Sequence, residues 1–205
     1  MKLYWSPRSP FVRKVMVCAH ELKLEDRIEK VYALVSVNQV NADVMRVNPI
    51  GRIPALETGN GTALYDSNVI CEYLDAEHGS SQLFPNVLPQ RWDALRRLAL
   101  ADGMLETAVM WRGERTKPAP QQSSHFLLAC DQKIARALAA ADEDATSLRQ
   151  DGFDIGEIAI ACALGYLDFR FVELDWRTRC PRAAKWFETF NARPSMQNTL
   201  PHEEK

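Results

Sequence analysis

The chain has 205 residues, a net charge of −2 and a quarter of its residues charged, the profile of an ordinary globular protein with room for one large domain or two small ones. That balance argues against nucleic-acid or anionic-membrane partners, because the clusters at Arg96 with Arg97, and at Arg112, Arg115 and Lys117, are flanked by acids and read as solvated helix faces. Five scattered cysteines without a C-x-x-C, and four histidines without ligand spacing, point away from a disulfide framework or a metal site and toward a reducing cytoplasm.

"KLYW" at 2–5 reads as a short strand. Ser9-Pro10 then writes a helix start over 10–22: a hydroxyl cap, proline at the first helical position, and an apolar stripe of Phe11, Val15, Cys18 and Leu22. "RIEKVYA" at 27–33 is a second strand pattern and 41–47 a short helix. "IPALET" and "TALYD" flank Gly59-Asn60-Gly61, a hairpin signal, and a helix follows over 67–77. The order β-α-β-α-β-β-α implies a small mixed sheet, since a β-α-β start forces a parallel pair with a crossover. Residues 78–88, rich in Gly, Ser and Pro, read as a linker between a domain at 1–77 and an all-helical domain at 89–205. Helices are predicted there over 89–114, 121–141, 154–170 and 181–192. The third is apolar all round, the mark of a buried helix, and its start, "DIGE", has the form of a capping box with Asp154 in the Ser/Thr place. The longest apolar run, 158–167, is half a membrane span, and the first residues contain no apolar run of signal-peptide length.

Three stretches carry the candidate chemistry. Ser9 caps a helix whose N-terminus is electropositive, and Ser6 is a second hydroxyl three residues earlier; Pro10 marks Ser9 as the cap. In "NPIGRIP", an Ile53–Pro54 bond in the cis form would present the Ile53 N–H and C=O outward for an extended peptide, although spacing alone favours a plain proline turn before a hairpin. Asp66 and Ser67 stand at a strand-to-helix junction, where backbone N–H groups and a hydroxyl suit a carboxylate and the Asp suits an ammonium group; simple helix capping is the alternative.

Taken in order and spacing, "SPRSPFVRK", "NPIGRIPAL", "YDSNVICEYL", the linker and "DIGEIAIACALGYL" resemble the glutathione S-transferases over essentially the whole chain, and the serine form "SPFVRK" is similar to a bacterial group of that family. The resemblance implies a thioredoxin-like N-terminal domain that binds glutathione, an all-helical second domain and a homodimer. It places Ile53, before a cis Pro54, against the backbone of the cysteinyl unit, and Asp66 and Ser67 on the γ-glutamyl end. Arg52 stands near the ligand, with a charge able to reach a carboxylate. Ser9 stands where the family carries its catalytic Tyr, Ser or Cys. The segment "LVSVNQVNADV" supplies no basic residue for the glycyl carboxylate, which stays unassigned. No His/Asp pair is present to make Ser9 a nucleophile, so its implied role is to donate a hydrogen bond to the glutathione thiolate. Arg8, Phe11, Met104, Ala108, Trp111 and Arg112 are placed to line a pocket for a small hydrophobic electrophile, while a Met/Trp stripe of this kind is more often core. The implied activity is conjugation of glutathione to that electrophile. Glutathione-dependent peroxide reduction is a related reading, and a non-catalytic binding or regulatory protein is the reading from another class.

Overall fold

Four short strands make one mixed sheet in the computed structural model, which describes residues 1–36, 39–78, 82–148 and 153–203. Positions 79–81 of the expected linker lie outside the described residues. In chain order the elements are β1 (Lys2–Trp5), α1 (Pro10–Glu21), β2 (Glu29–Tyr32), α2 (Ala42–Val47), β3 (Ala55–Glu57), β4 (Ala63–Leu64), α3 (Ser67–His78), α4 (Gln90–Arg115), α5 (Ser124–Asp144), α6 (Ile155–Arg170), α7 (Trp176–Arg179), α8 (Pro181–Asn191) and α9 (Pro194–Gln197). The sheet order is β2-β1-β3-β4, with β1 parallel to β2 and the other pairs antiparallel. The expected βαβαββα order and the parallel first pair are both present. The short helices α7 and α9 carry too few periodic residues for sequence patterning to find them.

Two compact units divide the chain. One spans Met1–Arg91 and takes in the segment from Pro194 onward; the other spans Trp92–Arg193. In the first unit, α1 packs on α3, and Leu3, Val15, Cys18, Leu56, Ile70 and Leu74 form a core with almost no solvent contact. The Asp75 carboxylate accepts hydrogen bonds from the N–H groups of Gln82, Leu83 and Phe84, so this part of the expected linker is anchored, with Leu83 and Phe84 buried. Residues past Pro194, which patterning groups with the helical half, dock on α1 instead. There the Ser195 hydroxyl donates to Glu21 Oε1 at 2.5 Å and Arg13 Nη2 to the Met196 carbonyl at 3.2 Å.

The second unit is helical throughout its regular segments. Helix α6 is buried from Ile155 to Leu167. Its capping box is complete: Asp154 Oδ1 accepts from the N–H groups of Gly156 (2.9 Å) and Glu157 (3.2 Å), and Glu157 Oε2 accepts from the Asp154 N–H (2.9 Å). The glycine in this motif is required by packing, because a Cβ at position 156 would lie 2.5 Å from the Ala94 carbonyl oxygen and 2.7 Å from Arg97 Cβ on α4. Helix α8 has no cap from its own flanking residue, Cys180. Asp142 of α5 supplies one from a distance, accepting from the N–H groups of Arg182 and Ala183 and from Arg182 Nε at 2.8–2.9 Å.

Two substitutions test these contacts. Gly156→Ala forces backbone apart at the α4–α6 crossing and is expected to lower stability by about 1–3 kcal/mol, read from denaturant unfolding. Burial pushes the Asp142 carboxyl up, but its bonds to Ala183 and Arg182 outweigh that and hold it below the ordinary carboxylate range. A depressed native pKa adds stability that is complete above the unfolded-state value and is lost as pH falls through the native one. Asp142→Asn should therefore destabilise at neutral pH and make progressively less difference in strong acid, as urea titrations across that range would record.

Candidate functional site

Strand register gathers the candidate residues at one end of the sheet. β1 pairs with β3 through Tyr4↔Ala55, so the chain leaving β1 toward Ser6 departs beside the segment that enters β3. β3 pairs with β4 through Leu56↔Leu64, so the chain leaving β4 toward Asp66 and Ser67 departs on its other side. Neighbouring strands run roughly 5 Å apart, so the ends leading into α1 and α3 flank the segment entering β3. The N-terminal turns of the two helices are tied together as well. Lys14 of α1, fully buried, donates from Nζ to Asn68 Oδ1 of α3 at 2.7 Å.

Ser9 is the N-cap of α1, with extended backbone and Oγ accepting from the Val12 N–H at 3.3 Å. Its side chain is part-exposed, and accepting one hydrogen bond leaves the O–H proton available to a neighbouring anion. Ser6 is only 4% exposed; its carbonyl accepts from the Ser9 N–H and its Oγ from the Arg8 N–H. The two serines thus form one turn, with Ser9 the more accessible hydroxyl.

The Ile53–Pro54 bond is cis. The turn before it is held by Asn48, buried, whose side chain donates to the Arg52 carbonyl and accepts from the Ile50 N–H. Gly51 sits at φ 70°, the left-handed region that favours glycine, and its N–H closes the turn onto the Asn48 carbonyl at 2.8 Å. The Arg52 side chain is exposed. Among the described residues no group hydrogen-bonds to the backbone N–H or C=O of Ile53.

Asp66 is exposed at the start of α3, and its Oδ1 accepts from the Asn68 N–H at 2.9 Å, while Ser67 is 2% exposed. Capping is therefore one role of Asp66, and it uses one of the two carboxylate oxygens. Of the expected electrophile-pocket residues, Arg8 and Phe11 lie in the first unit. Arg8 faces Glu203 at 3.7 Å, and Phe11 lies 5.8 Å below the Lys14 ammonium. Met104, Ala108 and Trp111 are buried in the second unit, where Trp111 stacks on Phe171 at 4.9 Å; Arg112 is part-exposed.

Sequence patterning did not single out Lys14, Arg13 or Asn68. Nothing local marks two consecutive cations in a helix as buried; the packing of α3 and α9 around α1 buries them. Among the described residues, no cluster of His, Cys, Asp and Glu is placed to hold a metal ion.

A thioredoxin-like sheet with two helix N-termini at one end, followed by a helical unit, defines the class of fold. Two family models then match the chain: the glutathione S-transferase N-terminal domain over 8–77 and its C-terminal domain over 125–189. The chain is 35% identical over 206 residues to the GST-like protein YibF of Escherichia coli (strain K12), a protein described as uncharacterized, with 98% of each chain covered. It is also similar to a glutathione transferase family member from Pseudomonas fluorescens Pf-5 whose crystal structure has glutathione bound, at 40% identity and a TM-score of 0.92, covering 98% of this chain and 99% of that one. A second structure of the Pf-5 family member contains S-(propanoic acid)-glutathione, at 40% identity and a TM-score of 0.89, covering 99% and 100%. The protein belongs to the glutathione S-transferase family.

The cap at Asp66 can be checked by itself. Asp66→Ala should cost about 1 kcal/mol in thermal or chemical unfolding, whereas Asp66→Asn, which keeps an acceptor for the Asn68 N–H, should cost a few tenths at most.

Proposed function

We propose that this protein is a glutathione transferase: it binds glutathione at the sheet end described above and conjugates it to a small, mainly apolar electrophile. The observation that carries this reading is the Ser9 hydroxyl, part-exposed at the N-terminus of α1 with its proton uncommitted, at the sheet end where Ile53 offers unpaired backbone groups and Asp66 caps α3. In this reading Ile53 pairs with the backbone of the cysteinyl unit. Asp66 and Ser67 hold the γ-glutamyl end, the free carboxylate oxygen of Asp66 taking the ammonium group, and Arg52 reaches a carboxylate. The family's glutathione-bound relatives at 34–40% identity support the ligand. The same reading includes a homodimer in a reducing cytoplasm, where the five free, buried cysteines stay thiols.

Ser9 acts by positioning and by charge. If its hydroxyl and the helix N-terminus lower a thiol pKa from about 8.5 to about 6.5, roughly 2.7 kcal/mol, the thiolate fraction at neutral pH rises about 25-fold. Over that shift intrinsic nucleophilicity falls about eightfold, for a Brønsted slope near 0.45. The net gain is about threefold. Larger acceleration has to come from holding sulfur and electrophile in a reactive geometry.

Calorimetric titration tests the reading: glutathione is expected to bind with Kd below about 1 mM, and no heat at millimolar ligand would sink it. Ser9→Ala should raise the pKa of bound glutathione by about one pH unit, the worth of one hydrogen bond to a charged sulfur, read from thiolate absorbance against pH. Asp66→Asn should weaken glutathione binding while leaving stability intact, which separates the ligand role of that carboxylate from its cap.

A further inference from the structure

Lys14 carries a buried charge that the proposed chemistry does not use. It sits in the second turn of α1 with no solvent exposure, its ammonium 5.8 Å from the centroid of the Phe11 ring. Taking an ammonium out of water is unfavourable even when it is paired. The packing of α1 on α3 does not call for one. Val15 and Cys18 of α1, and Ile70, Cys71 and Leu74 of α3, are apolar and have no solvent contact. A long apolar side chain at position 14 would fill the same space without a charge to desolvate.

What the ammonium holds is the first turn of α3. Lys14 Nζ donates to Asn68 Oδ1 at 2.7 Å, and the Asn68 backbone N–H donates to Asp66 Oδ1 at 2.9 Å. One residue therefore joins the buried cation to the carboxylate, meeting the cation with its side chain and the carboxylate with its main chain. Lys14 also belongs to the helix that Ser9 caps, a rise of about 7.5 Å further along it. The bond ties the element carrying the Ser9 hydroxyl to the element carrying the Asp66 carboxylate. A hydrogen bond from a charged donor is short and directional, which apolar contact is not.

Resting on the reading that Asp66 receives the γ-glutamyl ammonium and Ser9 the sulfur, we propose that Lys14 is a positioning residue. Its bond to Asn68 sets the Asp66 carboxylate, relative to Ser9, for a thiol whose amino group stands at the end of a γ-glutamyl arm. Lys14 acts through Asn68 and not on the ligand. Binding groups of this kind have to be held to within about half an ångström, and that is the work of the residues behind them.

Calorimetry on the full chain with two ligands tests this: glutathione, and glutaryl-cysteinyl-glycine, which has the same skeleton without the amino group. The wild-type protein is expected to prefer glutathione by at least about tenfold, the scale of an ammonium–carboxylate hydrogen bond. Lys14→Met and Asn68→Ala should each lower that preference by at least about threefold. The double variant should lower it no further than the stronger single one, since both changes break the same bond. Asn68→Ala keeps the backbone N–H that Asp66 accepts and lies at a part-exposed position, so it decides the matter if the buried substitution prevents folding. A merely structural role for Lys14 would weaken both ligands alike and leave the preference unchanged, and that result overturns the proposal. A preference lowered in only one of two folded single variants overturns it as well, with glutathione binding intact. Failure of the wild-type protein to bind glutathione, or equal binding of the two ligands, removes the underlying reading and the proposal together.

Discussion

The site depends on the central position of β3. With β1 on one side and β4 on the other, the residues entering β3 are flanked by the two strand ends from which α1 and α3 depart. Ser9 and Ile53 lie 44 residues apart along the chain and Ile53 and Asp66 lie 13 apart, yet the strand pairing brings their segments to one end of the sheet. Two helix N-termini at the same sheet end concentrate partial positive charge there, and the unpaired backbone of Ile53 lies between them. A slip of one residue in either pairing would turn Leu56, fully buried, toward the opposite face, so the core that excludes water also enforces the geometry of the site.

Carboxylates satisfy the helix and loop starts of both units, by local and by distant routes. Asp66 and Asp154 cap the helices they immediately precede. Asp75 and Asp142 reach backbone N–H groups 7–9 and 40–41 residues away. Orphan N–H groups near a core cost about 1–3 kcal/mol each, which gives such acids a structural reason to be buried. At Asp66 the cap and the proposed ligand role share one side chain, since capping takes only one of its two carboxylate oxygens.

Ser9 combines roles in the same way. Its oxygen accepts from Val12 while its proton remains to be given, so the residue that starts the helix can also stabilise a sulfur anion. Because a lower thiol pKa weakens the nucleophile it creates, the hydroxyl by itself contributes only a small factor to the rate. In the proposed reaction most of the acceleration then rests on how sulfur and electrophile are held beside Ser9.

Much of this was legible in the chain. The Ser9-Pro10 start, the Gly59-Asn60-Gly61 hairpin and the "DIGE" capping box are signals whose partners lie close along the chain, so the residue types alone determined them. Gly156 marks the limit: as a member of the motif it reads as an ordinary helix residue, and only the approach of the Ala94 carbonyl shows why it has no side chain. Nothing along the chain marks Arg13 and Lys14 as buried, but α9 and α3 cover them. Residues 82–84 read as linker, but Asp75 binds them down. What the sequence determined by itself was each element, its cap and the turn chemistry between elements, because those depend on neighbours along the chain. Which cations are buried, which loops are anchored and what surrounds Ser9 were decided by tertiary structure, because they depend on partners that only packing brings into contact.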